Sequence, residues 1–132
     1  MAMEEALIAR LTGDATLAAL VGDEVAWFDE RSGADPEITL TKVSPGREWT
    51  HAGPDGLDRP RVQVDCWASK PTVAVATARA VLALMETKQT ISGWTFWPAL
   101  LVDENWASMG EQTGGEPLAR VRLDFQFFHE EA

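Results

Sequence analysis

RVQVDCWASKPTVAVATARAVLALM, residues 61–85, changes from one hydrophobic period to another within a single stretch. Its first six residues alternate between polar and apolar, which places Val62, Val64 and Cys66 on one face of a strand. The residues that follow are typical of a helix running to about Glu86. The stretch therefore predicts a half-buried strand that leads directly into a long helix.

The predicted helix is almost wholly apolar. Ser69 can cap its N-terminus, and Pro71 suits its first turn. Between residues 72 and 85 only three residues are polar, whereas a surface helix normally has one apolar stripe. We therefore expect both sides of this helix to be covered, by the N-terminal helix or by a neighbouring subunit.

The rest of the chain supplies two short helices and three more segments with strand periodicity. Asp14 can cap the second helix and Gly22 can end it. The strand segments are PEITLTKV (36–43), TISGWTFWPALLVDE (90–104) and LARVRLDFQFFHEE (118–131). This order predicts an α+β fold with helices packed on one face of a mainly antiparallel, four-stranded sheet. A right-handed crossover gives the strand order 1-2-4-3.

Composition limits the classes of function. A chain of 132 residues predicts a single domain, 1–132, and the formal net charge of −10 disfavours a protein that binds nucleic acid. The single cysteine excludes an internal disulfide. The acidic start is unlike a signal peptide, and no apolar run approaches the roughly 20 residues of a membrane span. We therefore expect a soluble intracellular product with no membrane partner.

Residues that could carry chemistry all have simpler interpretations. Cys66 shares its strand face with two valines, so we interpret it as part of the core rather than a nucleophile. His51 and His129 have no His or Cys at metal-ligand spacing. The glycine pair in EQTGGEP lacks the lysine of a phosphate loop, and neither acidic cluster has EF-hand spacing. The sequence predicts no catalytic residue, metal site or cofactor.

Interface residues are the better candidates, because six tryptophans are many for one small core. The connection Ser44–Pro60 is rich in glycine and proline, and we expect it to be mobile and to take part in assembly through Arg47 and Trp49. Trp67 is the next candidate, although ordinary packing at the rim of the core is an equal alternative. The polar face of the last strand adds three more candidates, which are Arg120, Arg122 and Asp124. Reversing both arginines is expected to give a folded monomer.

Three segments together resemble the tail-terminator, or tail-completion, proteins of long-tailed phages, prophages and gene transfer particles. They are EEALIARLTGDATLAALVGDEV (4–25), LDRPRVQVDCWASKPTVAVATARAVLALME (57–86) and GEPLARVRLDFQFFHEE (115–131). The chain departs from the family pattern in the tryptophan-rich SGWTFWPALL and the polar DERSGAD, which leaves its contacts with partners open.

The resemblance implies a structural protein that forms a ring, usually of six, on the head-proximal end of the tail tube. There it stops tube growth and joins the tail to the head. Its implied partners are further copies of itself, the tail tube protein and a head-side connector or stopper, with DNA only passing through the lumen. The implied location is the neck of the particle, reached from the host cytoplasm. A head-closure or other neck protein is the alternative; a small hydrolase would need a polar constellation that the sequence lacks.

Overall fold

The computed structural model describes residues 3–28, 35–44, 47–50, 53–91, 93–111 and 117–131. At 47–50, 53–58, 108–111, 117 and 131 it describes the backbone alone. In chain order the elements are α1 (Met3–Thr12), α2 (Ala15–Val21), β1 (Val25–Trp27), β2 (Glu37–Ser44), β3 (Arg47–Thr50), β4 (Gly53–Asp58), β5 (Arg61–Ala68), α3 (Pro71–Met85), β6 (Gln89–Ile91), β7 (Trp94–Phe96), β8 (Leu100–Glu111), β9 (Pro117–Gln126) and β10 (His129–Glu131). None of the described helices is long and apolar enough to cross a membrane.

The first sheet has five strands in the order β1-β2-β5-β9-β8. β1 pairs with β2 in parallel, and every other pairing in this sheet is antiparallel. The α+β class is confirmed, but the sheet is not the predicted four-stranded antiparallel one, because it has five strands and β1 is added at its edge in parallel. The strands that lie in the four predicted segments, β2, β5, β9 and β8, follow one another in the predicted relative order 1-2-4-3. The added strand, Val25–Trp27, is only three residues long, too short for a period of two to be recognised.

A second sheet, which the sequence did not predict, has the order β3-β4-β10-β7-β6 with antiparallel pairing throughout. Two of its strands, β3 and β4, lie in the connection 44–60, where the sequence predicted a mobile loop. Residues 45, 46, 51 and 52 of that connection lie outside the described residues. The expected mobility of the connection stays a prediction, and its described backbone forms a hairpin beside the C-terminal strand.

The hydrophobic core lies between the helices and one face of the first sheet. Alternate residues of the strands point into it, as the period of two requires. Its buried strand residues are Ile38, Leu40, Val62, Val64, Cys66, Val121, Leu123 and Phe125, and its buried helix residues include Leu7, Leu11, Leu17, Ala74, Ala78, Val81 and Met85. The prediction that α3 is covered on more than one side is supported by further half-buried residues, Val73, Val75, Leu82 and Leu84, which pack against this core.

Cys66 is fully buried on the face that meets the helices, so its predicted place in the core is confirmed. Burial raises the pKa of the thiol far above its usual range, and the neighbouring carboxylate of Asp65 raises it further. A thiol held neutral in this way has little nucleophilic thiolate. Cys66 is therefore a small apolar residue in this fold.

Replacing Cys66 with alanine or valine should change the free energy of unfolding by only about 1 kcal/mol, as small changes of core volume do. The native thiol should also resist a maleimide reagent until the protein unfolds. Chemical denaturation and timed labelling measure the two effects. Rapid labelling of the folded protein, or loss of assembly by a variant of normal stability, would contradict the structural role.

Helix ends follow the sequence at α2 but not at α3. Asp14 accepts a hydrogen bond from the Leu17 N–H at 3.1 Å, and Gly22, with a φ of 63°, ends α2. The predicted cap of α3 by Ser69 is wrong. The backbone N–H and hydroxyl of Ser69 both donate to the carboxylate of Asp35, and Lys70 occupies the N-cap position without a side-chain bond.

Arg10 is a charged residue that is only 2% exposed, and its side chain connects α1 to the end of α3. One guanidinium nitrogen, Nη2, donates to the carbonyl of Leu84 at 2.9 Å and to that of Thr87 at 2.6 Å. The guanidinium also lies 5.4 Å from the centre of the Phe96 ring. Burial lowers the pKa of Arg10 to about 10, so the group is still charged at neutral pH. A cation placed on the last carbonyls of a helix complements its dipole.

Candidate functional site

The face of the first sheet that points away from the helices carries a set of polar and aromatic side chains, which we call the polar face. It comprises Gln63, Asp65 and Trp67 of β5 with Arg120, Arg122 and Asp124 of β9. The antiparallel register places Trp67 opposite Arg120, Asp65 opposite Arg122 and Gln63 opposite Asp124. Pairs of this kind are close enough for their side chains to interact directly.

Arg122 and Asp65 form the strongest interaction on the polar face. The guanidinium donates from Nε to one carboxylate oxygen at 2.7 Å and from Nη2 to the other at 3.1 Å. The side chain of Asp65 is only 1% exposed, whereas that of Arg122 is 29% exposed. A buried carboxylate held by a bidentate arginine depends on that partner for its compensation. Arg122 therefore has a structural role within the subunit, and reversing its charge tests stability before it tests assembly.

Trp67 is buried on this face, at 7% exposure, and its indole N–H donates to the Thr39 hydroxyl at 3.0 Å. The guanidinium of Arg120 lies 5.9 Å from the centre of the Trp67 ring, and its Nη2 donates to Asn105 Oδ1 at 3.3 Å. Arg120 is half-buried and bonds a neutral amide, so it remains the more suitable of the two arginines for testing an interface.

Asp124 is the least compensated carboxylate on the polar face. It is 6% exposed, and one of its oxygens lies 3.5 Å from Nη2 of Arg61. Its other oxygen, Oδ1, is buried and has no hydrogen-bond partner in the described part of the chain. An acceptor buried in this way costs free energy until a donor reaches it.

The structure brings four of the six predicted interface residues together and separates the other two. Trp67, Arg120, Arg122 and Asp124 share the polar face, whereas Arg47 and Trp49 lie on β3, at an edge of the second sheet. The side chains of Arg47 and Trp49 lie outside the described residues. No observation tests the six as interface residues, so their role in assembly stays a prediction.

Two residues that matter were missed. Phe28 is 89% exposed just beyond β1, and nothing in its sequence neighbourhood separates it from an ordinary aromatic. Arg10 did leave a signal, because a helical period places it beside Leu7 and Leu11 on the apolar face of α1.

In the described part of the chain, no group of three His, Cys, Asp or Glu side chains is placed to hold a metal ion. The polar side chains of the sheet bond mainly to one another, and large apolar side chains are exposed at its edges. Exposed apolar side chains of this kind favour a protein that presents surfaces to other proteins.

The chain belongs to the family of tail completion protein gp17, whose model matches residues 5–130. Among solved structures, a chain of the "Virion of native gene transfer agent (GTA) particle" is similar, with a TM-score of 0.68 and 21% sequence identity. The match covers 98% of this chain and 95% of that one, and at this identity it shows a shared fold. No curated protein matches the sequence significantly.

The family resemblance predicted from sequence is confirmed. The family is one of structural phage tail proteins and not of enzymes, so this chain is a structural component of the tail end of a phage or phage-like particle, where it associates with other particle proteins. This family membership excludes a small hydrolase, whereas the alternative of a head-closure or other neck protein stays open.

Proposed function

We propose that this chain closes the head-proximal end of a tail tube as a ring of identical subunits, a hexamer by analogy with the family. The ring stops addition of tube protein and offers a surface to the head-side connector or stopper. The observation that carries the proposal is the family match over residues 5–130. The shared fold with a chain of a gene transfer agent virion supports the same setting.

The polar face supports a role in assembly through its electrostatics. Asp124 contributes a carboxylate that is 6% exposed, so a neighbouring protein can reach only its accessible edge. Arg120 adds a half-buried cation four residues from Asp124 on the same face of β9. Arg47 and Trp49 on β3 are residue types that commonly dominate interface energies. Each subunit carries a net charge of −10, so a negative lumen would let DNA pass without adhering.

Deleting the gene in a producing cell is the direct test. Tails without this protein should overgrow and fail to join heads, and wild-type chain supplied from a plasmid should restore their length. Electron microscopy of purified particles gives both length and joining. Tails of normal length that stay detached from heads would indicate the neck or head-closure role instead, and normal complete particles would overturn the proposal.

Deleting Arg47–Gly56 should give a folded protein that cannot cap tails. The deletion removes β3 and most of β4 but keeps Leu57 and Asp58, the residues of β4 that pair with β10. Circular dichroism of the purified variant checks folding, and complementation of the gene deletion checks capping. Tails of normal length with this variant would remove the hairpin from the interface.

A further inference from the structure

The two edges of the first sheet differ in a complementary way. At the β1 edge the ring of Phe28 projects into solvent with 89% exposure. At the β8 edge there is a groove of about 270 Å³, which we call the edge groove. Its lining is mainly apolar and consists of Pro71 and Val75 of α3, Trp106 and Ala107 of β8, and Ala119, Val121 and the single charged residue Arg120 of β9. One edge therefore presents an apolar projection and the other an apolar recess.

Phe28 has a strained backbone conformation, and its side chain makes little contact within its own subunit. Its φ of 66° lies in the left-handed region, where a bulky side chain costs on the order of 1–3 kcal/mol. Its N–H donates to the Leu40 carbonyl at 2.8 Å, which extends the pairing of β1 with β2 and fixes that conformation. Glycine or asparagine would satisfy the same backbone with less strain and no exposed ring. The phenylalanine side chain is therefore suited to a contact outside the subunit.

The edge groove can hold an aromatic ring. Its volume of about 270 Å³ exceeds the roughly 150 Å³ of an enclosed apolar cavity that binds benzene, and because this groove is open to solvent it would cover one side of a ring. Trp106 forms one wall, and its indole N–H donates to Glu104 Oε2 at 2.6 Å, which orients the ring although the residue is 56% exposed. An aromatic ring bound in the groove would bury part of the Trp106 indole that is exposed in the single subunit.

We infer that Phe28 of one copy inserts into the edge groove of the next copy, so that the first sheets follow one another around the ring. This inference rests on the proposed ring. A second copy is the fitting occupant because every copy carries one projection and one recess on opposite edges, and such a head-to-tail contact repeats until it closes. The outer backbone edges of β1 and β8 are also unpaired by any strand in the described residues, and open edges favour strand pairing.

The size of the contact indicates how it works. One aromatic side chain buries roughly 150–250 Å², well below the roughly 1,000 Å² of a stable interface, so the strand edges and their exposed Leu100 and Val102 must contribute the rest. A single pair should associate weakly. Closing the ring adds one more contact without further loss of translational freedom, so the closed ring is stabilised over open forms.

Cross-linking in assembled particles tests this geometry. Lys42 lines the cavity beside Phe28, and Thr72 follows Pro71 at the groove; both are exposed, so cysteines there leave the projection and the recess intact. The buried Cys66 should not react. With a short bis-maleimide, the Lys42→Cys/Thr72→Cys double variant should give a ladder of covalent multimers ending at the ring size, and each single variant should give none.

The alternative outcomes separate the inference from the proposed function. Two results would contradict the edge contact without contradicting the proposed ring. They are particles that contain the chain but give no ladder, and single variants that form covalent dimers. Cross-links to a different tail protein also overturn the edge contact. Absence of the chain from particles overturns both. Phe28→Asn supplies an independent test: the purified variant should melt at or above the wild-type temperature yet leave tails overgrown, and normal capping by it would contradict the inference.

Discussion

Arg122→Met is expected to lower the free energy of unfolding by about 3–5 kcal/mol, because it leaves the carboxyl group of Asp65 buried and without its bidentate partner. That loss is a large fraction of the stability of an ordinary domain. Denaturant titrations followed by circular dichroism measure it.

Two further variants make the result specific to the ion pair. Arg79→Met removes an arginine whose side chain is 56% exposed and lies 3.3 Å from Glu104, and it should cost less than about 1 kcal/mol. The Asp65→Leu/Arg122→Met double variant replaces both charges by apolar groups and should recover most of the loss. A double variant no more stable than Arg122→Met would show that the arginine acts through some other contact.

Arg10→Met should lower the free energy of unfolding by about 2–4 kcal/mol. The methionine can fill much of the space under Phe96, but it removes the charged donor shared by the carbonyls of Leu84 and Thr87, although the Leu84 carbonyl keeps the bonds from Thr87. Hydrogen exchange should report the change first in the last turn of α3, where those carbonyls lie.

Arg10→Lys is the matched variant for that experiment. It keeps the charge but has one nitrogen on a flexible stem in place of the planar guanidinium, so it should recover only part of the lost stability. Full recovery by lysine would mean that charge at the helix end, and not the fork of donors, accounts for the effect. A loss below about 1 kcal/mol for Arg10→Met would contradict the structural role altogether.

Sequence periodicity predicted the strands whose side chains are sorted between core and polar face. The polar and apolar residues alternate over six residues in β5 and over eight in β9. Burial follows that alternation on the core side, where Val64 and Leu123 are fully buried. The strands that the sequence did not predict, such as β3 and β4, show no alternation of polar and apolar residues. β4 reads GPDGLD and is defined by its backbone pairing with β3 and β10, which leaves no hydrophobic pattern in the sequence.

The sequence predicted which residues share the polar face, but it did not predict which of them bond to one another. The period of two correctly places Trp67, Arg120, Arg122 and Asp124 on one face, since alternate residues of paired strands must share it. Which of these charges forms an ion pair within the subunit depends on the register between neighbouring strands. The sequence of one strand does not show which strand pairs with it or in what register. Arg122 was interpreted as available for an interface for that reason, although it is bound to Asp65.

The consecutive strands β9 and β10 have a consequence for the order in which the chain folds. β9 lies between β5 and β8 in the first sheet, and β10 lies between β4 and β7 in the second. The short link between them is held at Phe127, whose N–H donates to the Pro60 carbonyl. Neither sheet can therefore be completed before residues 117–131 have been synthesised, and both close in the same event. The helices can form earlier, because their hydrogen bonds are local. Both sheets depend on the same C-terminal segment for their last long-range pairings, so they should unfold in one cooperative transition.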